Sequence, residues 1–230
     1  RNYPGDITMT QVLEKSINTG AVFAESQLGH KKFLEYLTNF GIFEKTGLDL
    51  QGEAASKNAE FKKGYEINYA TASFGQGIEM TPIQLVRAFS VIANGGKLIK
   101  PYLVEQEPEI SNNNVISPQT ASKVTAMLVS VVEAAYTRAA QVPGYYVAGK
   151  TGTAQVSYSA LGINQKGYSD KTWQSFIGFA PAFNPQFLIL VKLNNPASKT
   201  AEYSAVPVFQ ELAKYIIDYY QIPPDHNENE

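Results

Sequence analysis

Two periods divide this chain. Through its first half, apolar residues recur at three- and four-residue spacing. Through its second, β-branched and aromatic residues crowd into short runs. Residues 8–15 predict a short helix with Asp6 or Thr8 as its cap, ended by the turn formers Ser16-Ile17-Asn18-Thr19-Gly20. Helical spacing resumes over 21–28 and again over 31–40, where Phe33, Leu34, Leu37 and Phe40 share a face. Residues 41–73 are mixed and read as loop. An amphipathic helix is expected over 81–93, with Thr81 as N-cap, Pro82 in the first turn and Ile83, Leu85, Val86, Phe89 and Ile92 apolar. Asn94-Gly95-Gly96 ends it. An extended segment (97–104), a polar loop (105–114) and a helix (118–136) follow, the helix turning Val124, Met127, Leu128, Val131 and Val132 inward.

The period then shortens. Residues 145–147 lead into an extended run at 151–158. Residues 175–180 and 187–193, split by the Pro-bounded stretch 181–185, predict an antiparallel pair. An amphipathic helix over 205–220 closes the pattern. Helices first and strands later, without β-α-β alternation, give an α+β class with an antiparallel sheet flanked by helices.

Composition narrows the picture only a little. The chain has 230 residues, 44% hydrophobic and 17% charged, which is a globular profile. A formal net charge of −2 gives no electrostatic case for nucleic acid as a partner. No cysteine is present, so a disulfide framework, a thiolate metal site and a cysteine nucleophile are excluded. The two imidazoles, His30 in a Gly-His-Lys-Lys turn and His226 in the polar tail, lie far apart in sequence, so no metal and no cofactor are expected. No apolar run reaches the roughly 18 residues a membrane span needs.

The candidate chemistry lies in Gly144-Tyr-Tyr-Val-Ala-Gly149-Lys150-Thr151-Gly152-Thr153, which satisfies two patterns. As Gly-x-x-x-x-Gly-Lys-Thr it fits a phosphate-binding loop. That loop needs a strand before its first glycine and a helix beginning at Lys-Thr. Here Gln141-Val142-Pro143 precedes it, its interior is bulky, and a glycine sits where the helix would start. No Asp for magnesium ends the 187–193 run either. As Lys-Thr-Gly it fits the third element of the serine acyltransferases, whose second is Ser-x-Asn, here Ser16-Ile17-Asn18. Each triplet alone is weak, and Ser16 and Asn18 could equally be helix-capping turn residues.

Five longer words settle the choice: Glu14-Lys-Ser-Ile-Asn-Thr-Gly20, Ser73-Phe-Gly-Gln-Gly-Ile-Glu-Met-Thr-Pro-Ile-Gln-Leu85, Ile92-Ala-Asn-Gly-Gly96, Ala148-Gly-Lys-Thr-Gly-Thr-Ala-Gln155 and Phe176-Ile-Gly-Phe-Ala-Pro181. In this order they resemble the C-terminal part of the transpeptidase domain of class B (monofunctional) penicillin-binding proteins, over residues 8–220. The resemblance implies the penicillin-binding-protein and serine β-lactamase-like fold with the N-terminal part of the domain missing: residues 1–222 as transpeptidase portion, 223–230 as a polar tail.

The family's activity is peptidoglycan D,D-transpeptidation through a serine acyl-enzyme. The resemblance gives Ser16, Asn18 and Lys150 catalytic roles and makes Thr151, Gly152 and Thr153 substrate-binding. Lys150 would keep the site positive and hydrogen-bond Ser16. Ser16 would pass a proton to the departing D-Ala, and Asn18 would hold a donor-peptide amide. Thr151 and Thr153 would bind the terminal carboxylate, and the strand edge would pair with the extended peptide.

One element is missing: no serine in these 230 residues has a lysine three positions on, and only fifteen residues precede Ser16. The nucleophile is therefore expected on an upstream portion of the same protein, and this chain alone is expected to be inactive. Implied partners are D-Ala-D-Ala stem peptides, β-lactam inhibitors and other wall-synthesis or division proteins. The implied location is the extracytoplasmic face of a bacterial membrane, anchored by an N-terminal segment. Alternatives from another class are a non-catalytic wall-peptide-binding or division scaffold, or a β-lactam sensor.

Overall fold

The structure, a computed structural model, describes residues 5–226. It comprises two compact units, Arg1–Met127 and Leu128–Glu230. The first holds α1 (Met9–Glu14), α2 (Asn18–Leu28), α3 (His30–Asn39), a 3-10 turn (Phe61–Lys63), α4 (Glu66–Ala72), α5 (Pro82–Ala93), β1 (Lys97–Ile99) and β2 (Ile110–Asn114). The division falls inside α6 (Pro118–Glu133). The second unit then holds β3 (Ala148–Ser157), β4 (Tyr168–Ala180), β5 (Phe187–Asn194), a 3-10 turn (Ala201–Tyr203) and α7 (Ala205–Tyr220). Among the described residues no helix is long and apolar enough to cross a membrane.

In the first unit the caps carry the expected local logic. Thr8, rather than Asp6, caps α1: its hydroxyl accepts from Gln11 N while Gln11 returns a bond to Thr8 N. Thr81 and Gln84 repeat this box at α5, with Pro82 in the first turn. Gln84 is fully buried and also donates to the carbonyls of Ile42 (3.1 Å) and Glu44 (2.6 Å). Arg87 adds bonds to the carbonyls of Gly41, Lys45 and Thr46. Two buried polar side chains of α5 thereby satisfy the 41–46 loop, which has no ladder of its own. Asn58 does the same for the Ser73-Phe-Gly-Gln-Gly word, exchanging bonds with Glu79 N (2.7 Å) and Glu79 O (2.8 Å). Gly75 and Gly77 are left-handed turn residues there. Of the two histidines, His30 takes the structural place of a ring: it stacks on Tyr69 at 4.4 Å and meets buried Glu25 at 2.6 Å.

Some boundaries differ from expectation. The turn after α1 is shorter, because α2 begins at Asn18. Helix α4 lies inside what reads as loop, its Tyr69 and Ala72 turned inward but its Tyr65 and Ile67 exposed, which blurs the period. Part of the polar 105–114 stretch pairs antiparallel with β1 as β2: backbone bonds decide that pairing and side-chain polarity hides it. Helix α6 ends at Glu133, three residues early.

The second unit is built on one antiparallel sheet in the order β3-β4-β5. Strand β4 is twice as long as its apolar half suggested, because Tyr168–Gln174 continue the ladder with β3. Helix α7 covers one face through Val206, Phe209, Ala213 and Ile217, which meet Phe176, Ala180 and Val191. The rings of Phe176 and Phe209 lie 4.6 Å apart, and each buried side chain of this size contributes about 1.5–3 kcal/mol. The contact is close because Gly149 and Gly178 have no Cβ. One built at Gly149 would stand 2.4 Å from Phe176 Cζ, and one at Gly178 would stand 3.0 Å from Phe209 Cζ. The first residues of the polar tail are tied down: the Asp225 carboxylate accepts from Tyr146 N (3.0 Å), and Tyr145 donates to the Ile222 carbonyl. Residues 227–230 of that tail, and Arg1 to Pro4 at the other end, lie outside the described residues.

Candidate active site

The first motif sits on a backbone irregularity. Ser16 follows α1 with φ at 49°, a left-handed conformation that costs a non-glycine residue about 1–2 kcal/mol. The turn is closed by Ser16 N bonding to Leu13 O (3.2 Å) and Ile17 N bonding to Val12 O (2.9 Å). Ile17 is buried, and it rather than Ser16 or Asn18 is the N-cap of α2, with no side-chain cap bond. Neither polar side chain therefore serves as the cap. Ser16 and Asn18 are exposed on either side of the buried Ile17. What holds the turn is Gly20: a Cβ there would lie 2.6 Å from both methyls of Val12, so only glycine lets α2 approach α1 this closely. A strained residue held by its surroundings is a signature of functional sites.

The second motif lies inside β3. Lys150 pairs with Ile177, Thr151 with Phe176, Gly152 with Ser175 and Thr153 with Gln174. The strand pairs only with β4 among the described residues, so its outer edge offers unpaired backbone groups. Lysine at mid-strand removes the phosphate-loop reading, which needs it at a helix N-terminus. The pleat puts Lys150 and Gly152 on one face and Thr151 and Thr153 on the other. A Cβ at Gly152 would stand 2.7 Å from Ser175 Oγ, so glycine keeps this stretch of the edge low.

Lys150 is half-buried, and its Nζ turns back to Thr151 O (3.2 Å) and Thr151 Oγ1 (3.3 Å). Burial pushes its pKa below the ordinary 10.5, and the Glu202 carboxylate opposes that shift. An ammonium held on a strand edge beside the Thr151 hydroxyl is suited to an anionic, extended ligand. Trp173, on the same face as Lys150, stays 41% exposed with Lys192 Nζ 4.5 Å from its ring centre. An open cleft lined by Arg138, Gln141, Tyr145, Gln210, Lys214 and His226 holds none of Ser16, Asn18 and Lys150–Thr153. Both triplets are legible in the sequence, whereas Glu202 and Ser175 are not. Their places depend on strand register and on the turn before α7, for which no motif exists.

The penicillin binding protein transpeptidase domain family matches residues 1–214. Among curated relatives, Stage V sporulation protein D of Bacillus subtilis is 34% identical over 97% of this chain and 36% of its own length. The probable peptidoglycan D,D-transpeptidase PbpC of Pseudomonas aeruginosa is 34% identical over 96% of the chain and 39% of its own length. The chain thus spans little more than a third of these relatives. Among solved structures, the apo transpeptidase domain of penicillin-binding protein 3 from Burkholderia pseudomallei superposes with a TM-score of 0.86 at 29% identity, covering 97% of this chain and 67% of that one. Penicillin-binding protein 3 of Mycobacterium tuberculosis complexed with aztreonam gives 0.82 at 30% identity, over 95% and 53%. The sequence words, the α+β fold and these matches agree: the chain belongs to the transpeptidase-domain family of the class B penicillin-binding proteins.

Proposed function

We propose that this chain is the C-terminal part of a peptidoglycan D,D-transpeptidase, working within a longer protein that supplies the Ser-x-x-Lys nucleophile. The observation that carries the reading is the outer edge of β3, where Lys150, Thr151, Gly152 and Thr153 stand in one register with no strand beyond them among the described residues. An extended D-Ala-D-Ala peptide adds to that edge through backbone bonds, its carboxylate reaching Thr151 and Thr153. The upstream serine attacks the penultimate carbonyl, and the Thr153 N–H helps stabilise the oxyanion. Lys150 keeps the site positive, Ser16 returns a proton to the leaving D-Ala nitrogen, and Asn18 holds an amide of the donor stem. β-Lactams occupy the same place and acylate the same serine, in keeping with the aztreonam and ampicillin complexes of the Mycobacterium tuberculosis relative. The site faces the wall outside the bacterial membrane, next to other wall-synthesis or division proteins.

Labelling with fluorescent penicillin tests this. The parent protein forms a covalent adduct, and residues 1–230 alone form none. An adduct on the isolated 230-residue chain would place the nucleophile within it and overturn the assignment. A second reading is a non-catalytic wall-peptide-binding or division scaffold or β-lactam sensor, which an upstream portion without Ser-x-x-Lys would favour. A parent that binds stem peptide but never acylates would support the scaffold.

A further inference from the structure

The turn Ala201–Tyr203 packs against β3 and β4, and three polar side chains fix it there. Ser204 Oγ donates to Gln174 Oε1 (2.6 Å), and Gln174 Nε2 donates to Ser198 O (2.7 Å) and Thr172 Oγ1 (3.1 Å). Gln174 is fully buried and is the cross-strand partner of Thr153. Ala201 is fully buried too, so the turn cannot swing without breaking this network. Glu202 rides on it, half-buried, next to the strand that carries the lysine.

From this we infer that Glu202 is a specificity-determining residue of the β3 edge, a fixed negative charge that weakens the hold of Lys150, Thr151 and Thr153 on a ligand's carboxylate. This rests on the reading of that edge as a peptide-carboxylate site. Gln174, to which Ser204 and Ser198 are bonded, is the residue paired with Thr153 across the sheet, so the turn that carries Glu202 is fastened at the level of the motif. The Glu202 carboxylate opposes the lowering of the Lys150 pKa that burial causes. An anion drawn by the ammonium therefore meets a carboxylate of like sign, and the two fields subtract. A ligand without that anion experiences neither the pull nor the push in full. The edge then discriminates mainly through backbone pairing and shape, and the released D-Ala, which keeps the terminal carboxylate and gains a free amine, leaves more readily.

The test compares N-acetyl-D-alanyl-D-alanine with its C-terminal amide, titrated against the parent protein. Glu202→Gln is expected to tighten binding of the acid about three- to tenfold at low salt and leave the amide unchanged. The gain shrinks towards none at about 0.5 M salt. Glu202→Asp, which keeps the charge, should behave as the original protein. Equal tightening of acid and amide, no tightening, or no preference between them in either protein overturns the inference. Penicillin labelling of the same samples reports separately on the transpeptidase reading. A parent that binds the acid as described but is never labelled keeps the role of Glu202 and loses the enzyme.

Discussion

The two motif-bearing regions are built by opposite means. The Ser16-Ile17-Asn18 turn is a local construction: a left-handed residue, two backbone bonds and one glycine-sized gap against Val12. Its polar side chains are exposed, and its one buried member, Ile17, is the apolar residue between them. The Lys150–Thr153 strand is a long-range construction: its register comes from β4, and its backing comes from Phe176 and Phe209 through α7. Its charged member is half-buried, at an electrostatic penalty. The difference teaches where each is vulnerable. The turn fails through backbone geometry within a few residues, and the strand through packing and charge drawn from across its unit.

The largest effect should separate chemistry from stability at Lys150. Lys150→Ala in the parent protein is expected to slow penicillin acylation about 10²–10⁴-fold while leaving thermal stability equal or higher, because a half-buried ammonium is removed. An unchanged labelling rate would remove Lys150 from the site. At the turn, Gly20→Ala should destabilise by about 1–3 kcal/mol through overpacking on Val12. In a Val12→Ala background the added cost should shrink, a coupling that denaturant titration of the four proteins would read. Ser16→Gly should keep stability within about 1 kcal/mol, since glycine accepts the left-handed conformation, yet lower acylation at least about tenfold. If stability and labelling fell together there, the turn would be purely structural.

The smallest effect is a pH dependence. The folded pKa of Lys150 is depressed, so the unfolded chain binds its proton more tightly. Stability therefore rises with pH between the lowered folded value and the ordinary 10.5. Activity moves the other way: the ammonium is lost as pH rises through the folded value, so labelling should fall at lower alkaline pH than an ordinary lysine would give. A labelling rate flat up to the ordinary lysine range would contradict this.

The local construction was the more legible. Thr8 and Thr81 announce their helices because a capping box is written in four consecutive residues. The interruption at Ser16 also shows as a cluster of turn formers, but its true length does not. Gly20 reads as a helix breaker until the proximity of Val12 explains it as a helix contact. The strand's motif was legible as a word and its partners were not. Nothing near Lys150 in sequence points to Ser175, Gln174 or Glu202, which reach it through strand pairing and a turn some fifty positions away. Strand β2, spelled Ile-Ser-Asn-Asn-Asn, was invisible for the same reason.

The two aromatic rings seated where Gly149 and Gly178 lack side chains have a consequence for what the edge can recognise. A strand clamped that tightly to the helix behind it is a ruler rather than a jaw: it does not bend to meet its ligand. On the proposed reading of this edge as a peptide site, the adjustment falls on the ligand, which must arrive straight or lose its own freedom on docking. Molecules whose backbone is already locked in an extended shape by a ring therefore have a head start over flexible peptides of the same chemistry. The size of that advantage is set by how closely Phe176 and Phe209 hold the sheet.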